Sequence, residues 1–365
     1  MTKPELTSGI AYKALQNFFN QKPFVLFGTG TSCAVDPSFG MKALEEYLQK
    51  EIPNPSLTTN PRKEWNKVVE KLKIGTDFES AMNEIKDKKL LKKVIDKTAE
   101  HVTSLNRKAG FEIFTGKTVW PARHIFKRLV DGLPETDRTL HVATTNYDML
   151  AEFAFANSEI PYITGFCGGV IRKLDWTQSE RQVTFNEKIP SGRSKMVSVA
   201  RIKKHIRLYK VHGSINTFEF KNQIIETDSC DQLVDGFQRI MITPGASKHE
   251  ALHNYRTALL SEFDQAIRSH SAFLFLGFGF NDNQLINNAI IDKLRVQNSH
   301  GLIVTRETNE RIDALLKNSK NTWLVCKNEN EESVRIFNCQ YKDWLYLHNK
   351  EFWKFDKFAE EILGG

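Results

Sequence analysis

The sequence predicts an α/β protein built on a mainly parallel sheet of Rossmann type. Short apolar runs alternate with helical patterns along most of the chain, as strand–helix–strand units do. Two of these runs end in glycine turns: Phe24-Val25-Leu26-Phe27 before Gly28-Thr29-Gly30, and residues 272–276 before Gly277-Phe278-Gly279. Two others end in polar residues, Thr144-Thr145-Asn146-Tyr147-Asp148 and His212-Gly213. A parallel sheet binds its ligands beyond the carboxyl ends of such strands.

Taken in order, strands are expected at 24–28, 140–145, 208–212, 239–243, 272–277, 302–305 and 323–326. Helices are expected at 41–50, 120–131, 149–157, 255–269, 283–295 and 309–317. A last helix, 352–362, is aromatic on one side and is expected to pack on the core or on a neighbouring subunit. Two segments interrupt the alternation. Residues 60–108 are lysine-rich, with helical spacing and no strand pattern, and read as a helical insertion. Residues 171–207, with the turn-rich IPSGRSK, read as a basic insertion or small subdomain. The main domain would then comprise 1–59 and 109–365.

The length of 365 residues fits one large domain or two moderate ones. Apolar residues make up 40% and charged residues 26%, as in soluble proteins that bury a core without staples. No apolar run approaches the ~20 residues of a membrane span, and the N-terminus lacks a basic-then-apolar leader. The five cysteines are scattered and none is spaced C-x-x-C. That points to a reducing cytoplasm and to no structural metal. The formal net charge of +7 is concentrated, since residues 171–210 hold eleven Lys and Arg against three Asp and Glu. Such a segment attracts phosphates, nucleic acid or an acidic partner, or is a solvated loop.

Each motif admits a structural and a functional reading. Gly28-Thr29-Gly30 follows a strand as phosphate-binding turns do, because glycine lets backbone approach a ligand closely. The dinucleotide fingerprint wants a third glycine where Cys33 stands, so a tight turn without ligand is the alternative. The stretch 110–118, GFEIFTGKT, has five residues between its glycines instead of the four of a P-loop, and no strand leads into it; an ATP loop is not expected. Asn146 can donate and accept at once, whereas Asp148 can equally cap the following helix. His212 ends a strand and can be a core histidine or a general base.

In their order, these stretches resemble the sirtuin-type NAD-binding family. The family's Gly-Ala-Gly-x-Ser appears as Gly28-Thr29-Gly30-Thr31-Ser32, and its Thr-Gln-Asn-x-Asp as Thr144-Thr145-Asn146-Tyr147-Asp148. Its catalytic His-Gly appears as His212-Gly213, and its later Gly-x-Ser as Gly277-Phe278-Gly279. GLIVT, 301–305, stands where the family places a strand near the adenosine. The chain departs from the family's protein deacylases. Their paired C-x-x-C zinc ligands are missing, Cys230 being the one cysteine between the histidine and the later glycine strand, and their Pro-x-Phe-Arg is reduced to VDPSFG. The pattern looks closer to bacterial sirtuin-like effectors of anti-phage defence, which consume NAD⁺. Effectors of this size resemble the partner subunit of HerA-type hexameric ATPases.

The resemblance implies cleavage of the nicotinamide–ribose bond of NAD⁺, with NAD as substrate and no metal. Gly28, Thr29, Gly30, Thr31 and Ser32 would hold the pyrophosphate. Asn146, beside Thr145, would bind the ribose hydroxyls or the attacking water. Asp148 would orient the carboxamide or the turn, and His212 would be the general base. Gly277, Phe278, Gly279 and Asp282 would line the adenosine side. Regulation by a homo-oligomer or by a partner is expected, through surfaces at 62–108 and 171–210. Three alternatives stand beside this one: a protein deacylase, a non-catalytic NAD-binding or docking module, and a nucleic-acid-processing subunit bound through 171–210.

Overall fold

The computed structural model describes residues 3–52, 57–191, 195–229, 236–242, 259–282 and 287–364. Its centre is a nine-stranded sheet. The strands are β1 (Phe24–Phe27), β2 (Thr139–Thr144), β3 (Tyr162–Ile163), β4 (His205–Lys210), β5 (Ala272–Leu276), β6 (His300–Val304), β7 (Thr322–Lys327), β8 (Val334–Phe337) and β9 (Leu345–Leu347). They lie side by side in the order β9-β8-β7-β6-β5-β1-β2-β4-β3. From β3 across to β7 every neighbouring pair is parallel, and β8 and β9 add an antiparallel edge.

The apolar runs are continuous because both faces of the sheet are covered. Side chains of a strand alternate between faces. Val25 and Phe27 therefore join one cluster, with Trp120, Phe126, Phe155 and Phe358. Phe24 and Leu26 join the other, with Phe263, Phe273, Phe275 and Leu315. The predicted C-terminal helix is Phe355–Leu363, and of its two expected destinations it takes the core: Phe355, Phe358, Ala359 and Ile362 are buried there. The predicted helix at 120–131 begins later, at Arg123, after Pro121, while Trp120 is buried ahead of it.

Three features of the middle of the chain were not foreseen. A five-stranded antiparallel sheet is built from Phe166–Gly168, Arg172–Leu174, Gly213–Phe220, Gln223–Glu226 and Gln238–Met241. The basic segment forms a two-stranded ribbon, Thr184–Ser191 against Lys195–Ile202, in which no described residue is buried. The apolar run expected at 208–212 is in fact two strands: β4 stops at Lys210 and a new strand starts at Gly213, whose φ of +71° turns the chain between them.

Residues 59–114 are helical, chiefly Thr59–Lys73 and the 27-residue Lys88–Phe114. Leu44, Leu48, Ile52, Trp65, Phe78, Met82 and Val94 form a separate apolar cluster there. Lys88–Phe114 starts at Asp87, whose carboxylate accepts from Lys89 N and Leu90 N. Further along it packs on Ile215 and Met241, and its last turns enter the main core through Ala109 and Ile113. Gly110 lies inside this helix against the ring of Phe153. No helix among the described residues is long and apolar enough to cross a membrane. Cys230, the tip 192–194 and the first residues of the helices expected at 255–269 and 283–295 lie outside the described residues.

Candidate active site

Strand register brings the motifs together. Phe27 pairs with Leu276 on one side and with Thr144 on the other, and Thr144 pairs with Lys210. The four strands therefore end in one row, and Gly28, Thr145, Val211 and Gly277 leave it along one edge. From β1 the chain passes to β2 on one side and later returns to β5 on the other. This is the switch point at which an α/β sheet opens a crevice.

A cavity of about 400 Å³ occupies that crevice. The predicted residues Gly28, Thr29, Gly30, Thr145, Asn146, Asp148, His212, Gly277, Phe278, Gly279 and Asp282 all line it. Thr31 and Ser32 lie beneath its wall, both fully buried. The opposite wall was missed from the sequence: Asp77, Phe78, Met82, Val94, Thr98 and His101 of the helical segment complete the cavity. One signal was available, because Thr98 is a polar residue within the buried stripe of an otherwise lysine-flanked helix.

The glycine turns have a reason of their own. A Cβ on Gly30 would lie 2.6 Å from Gly277 Cα, and one on Gly28 would lie 2.8 Å from Gly277 O. The two turns pack backbone against backbone, with Gly277 at φ +55°. Gly28 N donates to Leu276 O, Gly30 N to Gly277 O and Thr31 N to Gly28 O, each at 3.0 Å. Those three amides are thus spent inside the protein, and an amide cradle at this turn cannot draw on them.

Beneath the turn runs a buried polar chain. Asn146 Nδ2 donates to Gly28 O at 3.1 Å and to Ser32 Oγ at 3.0 Å. Ser32 Oγ donates to Asp148 Oδ2 at 2.8 Å, and Asp148 Oδ1 accepts from Leu150 N at 3.1 Å. A carbonyl only accepts, so Gly28 O fixes which end of the Asn146 amide is nitrogen. Its other end, Oδ1, is buried with no hydrogen-bond partner. Lys210, at the end of β4, donates to Asp148 O at 2.8 Å and to Glu152 Oε1 at 2.6 Å. Burial pushes the Asp148 carboxyl above its ordinary range, opposed by the Ser32 hydrogen bond and the Lys210 charge.

Across the cavity, His212 Nε2 and Asp282 Oδ2 face each other at 2.6 Å, both side chains buried. They are at ion-pair distance without hydrogen-bond alignment. A carboxylate so placed can orient an imidazole. Gly213 follows because nothing larger fits: a Cβ there would lie 2.1 Å from Ile240 O. Among the described residues no group of three or more His, Cys, Asp or Glu is arranged to hold a metal.

Fold and site together define an α/β protein with a ligand crevice at the switch point of a parallel sheet, walled by hydrogen-bonded polar side chains and glycine turns. A protein-family model, the SIR2-like domain, matches residues 140–324. The match spans half of the chain, which belongs to the SIR2-like domain family. Domains of this family bind NAD and are usually NAD-dependent enzymes. The match covers Asn146, Asp148, His212 and Gly277–Asp282 but neither the Gly28 turn nor the helical wall. No curated protein matches the chain.

Proposed function

We propose that this protein is an NAD⁺ glycohydrolase, cleaving the nicotinamide–ribose bond with water to give nicotinamide and ADP-ribose. The observation that carries the reading is Asn146. Its amide nitrogen is held by Gly28 O and Ser32 Oγ, which leaves Oδ1 buried and without a partner, on a residue that lines a cavity also lined by His212 and Asp282. A buried acceptor left unmade costs about 1–3 kcal/mol, so a bound hydroxyl or water recovers that energy. NAD⁺ supplies a neutral leaving group and a ribose carbon that turns cationic as the bond breaks, as in glycoside cleavage.

The residues divide the work. Asn146 Oδ1 accepts from a ribose hydroxyl or from the attacking water. His212 takes the proton of that water, and Asp282 steadies the imidazolium that results. Asp148 positions Asn146 through Ser32. The Thr29 and Thr145 side chains and the rim at Gly277–Gly279 carry the rest of the dinucleotide. The balance is one water consumed and one proton released per nicotinamide.

A chain that destroyed NAD⁺ without restraint would harm its own cell, so the activity is proposed to be gated, by a homo-oligomer or a HerA-type ATPase partner, in cytoplasmic anti-phage defence. The absent zinc cysteines disfavour deacylation. Five of the eleven Lys and Arg of the basic segment are paired with carboxylates, which weakens the case for nucleic-acid binding: Arg172 meets Asp228, Arg201 meets Glu187, Lys204 meets Glu135, Arg207 meets Glu180 and Glu262, and Lys210 meets Glu152.

The test is NAD⁺ consumption by the purified chain, with chromatography for nicotinamide and ADP-ribose. His212→Ala and Asn146→Ala should each lose about 10²–10⁴-fold in turnover. Wild-type turnover in either variant would remove that residue from the mechanism. NAD⁺ bound without turnover, with and without assembly, would mean a sensor in place of an enzyme.

A further inference from the structure

Between β5 and Asp282 the chain runs through Gly277–Asn281 without helix or strand, yet three consecutive carbonyls there are held. Asn309 Nδ2 donates to Gly279 O at 2.9 Å. Arg311 Nη1 donates to Phe280 O at 3.3 Å and to Asn281 O at 2.5 Å. Asp282, which faces His212, is the next residue. Phe280 has φ +57°, a conformation that a bulky residue keeps only where its surroundings impose it. Its ring is packed against Phe275 and Phe278 at centroid distances of 4.7 and 5.3 Å.

Asn309 has a second task. Its Oδ1 accepts from Arg311 N and Ile312 N, both at 3.0 Å, and so starts the helix Glu310–Lys317. The clamp is thereby tied to a helix whose Ile312, Leu315 and Leu316 are buried under the sheet. Arg311 also faces the opposite wall of the cavity. Burial raises the Asp77 carboxyl, but hydrogen bonds from Ser80 together with the Arg311 charge outweigh it and hold Asp77 below the ordinary range.

We infer that Asn309 and Arg311 are positioning residues: they fix the backbone of Gly279, Phe280 and Asn281 so that the Asp282 carboxylate reaches His212. The pair is close but unaligned, so a small displacement of this loop decides whether it engages. A shift of 1 Å in a catalytic group can cost about 10²-fold in rate. Neither residue touches the reacting atoms, and neither lines the cavity.

Three variants separate this role from mere support. Asn309→Asp keeps the oxygen that caps the helix but loses the donor to Gly279 O. Arg311→Ala loses both carbonyl contacts, and Arg311→Lys keeps the charge and a donor nitrogen on a shorter side chain without the planar fork. On the glycohydrolase reading, the first two should lower kcat by about 10²-fold with KM changed less than about threefold. Arg311→Lys should recover part of the loss. A second measurement does not need turnover: the imidazole NMR signals of His212 in the ligand-free chain should move in Asn309→Asp and Arg311→Ala, while core methyl signals stay. Unmoved His212 signals in both variants would overturn the clamp, as would wild-type kcat in an active chain. A wild type that cleaves no NAD⁺ would overturn the glycohydrolase reading and leave the clamp to be decided by the NMR signals alone.

Discussion

A methyl group on Gly30 would sit 2.6 Å from the Cα of Gly277, whereas one on Gly279 would come no closer than 3.4 Å to the side-chain amide of Asn281. The two positions read alike in the sequence and differ in what they permit. Gly30→Ala forces two backbones apart and should destabilise the fold by about 1–3 kcal/mol, read by urea denaturation. Gly279→Ala should melt within about 2 °C of wild type, yet bind NAD⁺ about tenfold more weakly by calorimetry, because the proposed ligand passes over that rim. Unchanged affinity in a folded Gly279→Ala would place the dinucleotide elsewhere. At this scale the motif residues were legible. The packing of Gly28 and Gly30 on Gly277 was not, since it joins positions some 250 residues apart.

Among the elements, the strands of the central sheet were readable because they are buried on both faces, and continuous apolar runs are the least ambiguous strand signal. The ribbon 184–202 was unreadable for the opposite reason. It carries Lys188, Pro190 and Lys195 in strands with no core beneath them, so neither composition nor alternation marks it. Its base is already closed, with Lys203 N donating to Val183 O at 2.8 Å. Replacing 184–202 by a short Gly-Ser turn should therefore shift Tm by less than about 2 °C. A large fall in Tm would show that the ribbon packs on the body of the protein.

For the molecule as a whole, a charge in the central sheet acts on a buried carboxyl of the second sheet. Glu226 lies with Oε2 3.6 Å from Arg172 Nε, both in the second sheet, and Lys210, in the central sheet, binds Glu152 and Asp148 O. Desolvation pushes Glu226 up to about 7, with Lys210 and Arg172 opposing. A carboxyl whose pKa is higher folded than unfolded favours the fold while protonated. That contribution is complete below the ordinary glutamate value of 4.5 and is lost as pH rises through about 7. It amounts to roughly 3 kcal/mol. Denaturation at about pH 5 and about pH 8 should show wild type losing more stability across that interval than Glu226→Gln, by an amount of that order. Equal losses would mean that Glu226 is ionised in the fold.

The sequence by itself determined the α/β class, the strands that end at the crevice and the identity of the polar residues placed there, because each of these is written in local periodicity and in residues adjacent along the chain. It determined the resemblance to sirtuins by the order of four short motifs. Only the tertiary structure decided that the helical segment supplies the second wall of the cavity and that the amides of Gly28, Gly30 and Thr31 are spent on backbone. Only it decided that Asp282 faces His212 under the hold of Asn309 and Arg311. Apart from the bond of Thr31 N to Gly28 O, these are contacts between residues 30 to 248 apart, selected by sheet register and by the packing of separate elements, and no local pattern encodes a register between distant strands.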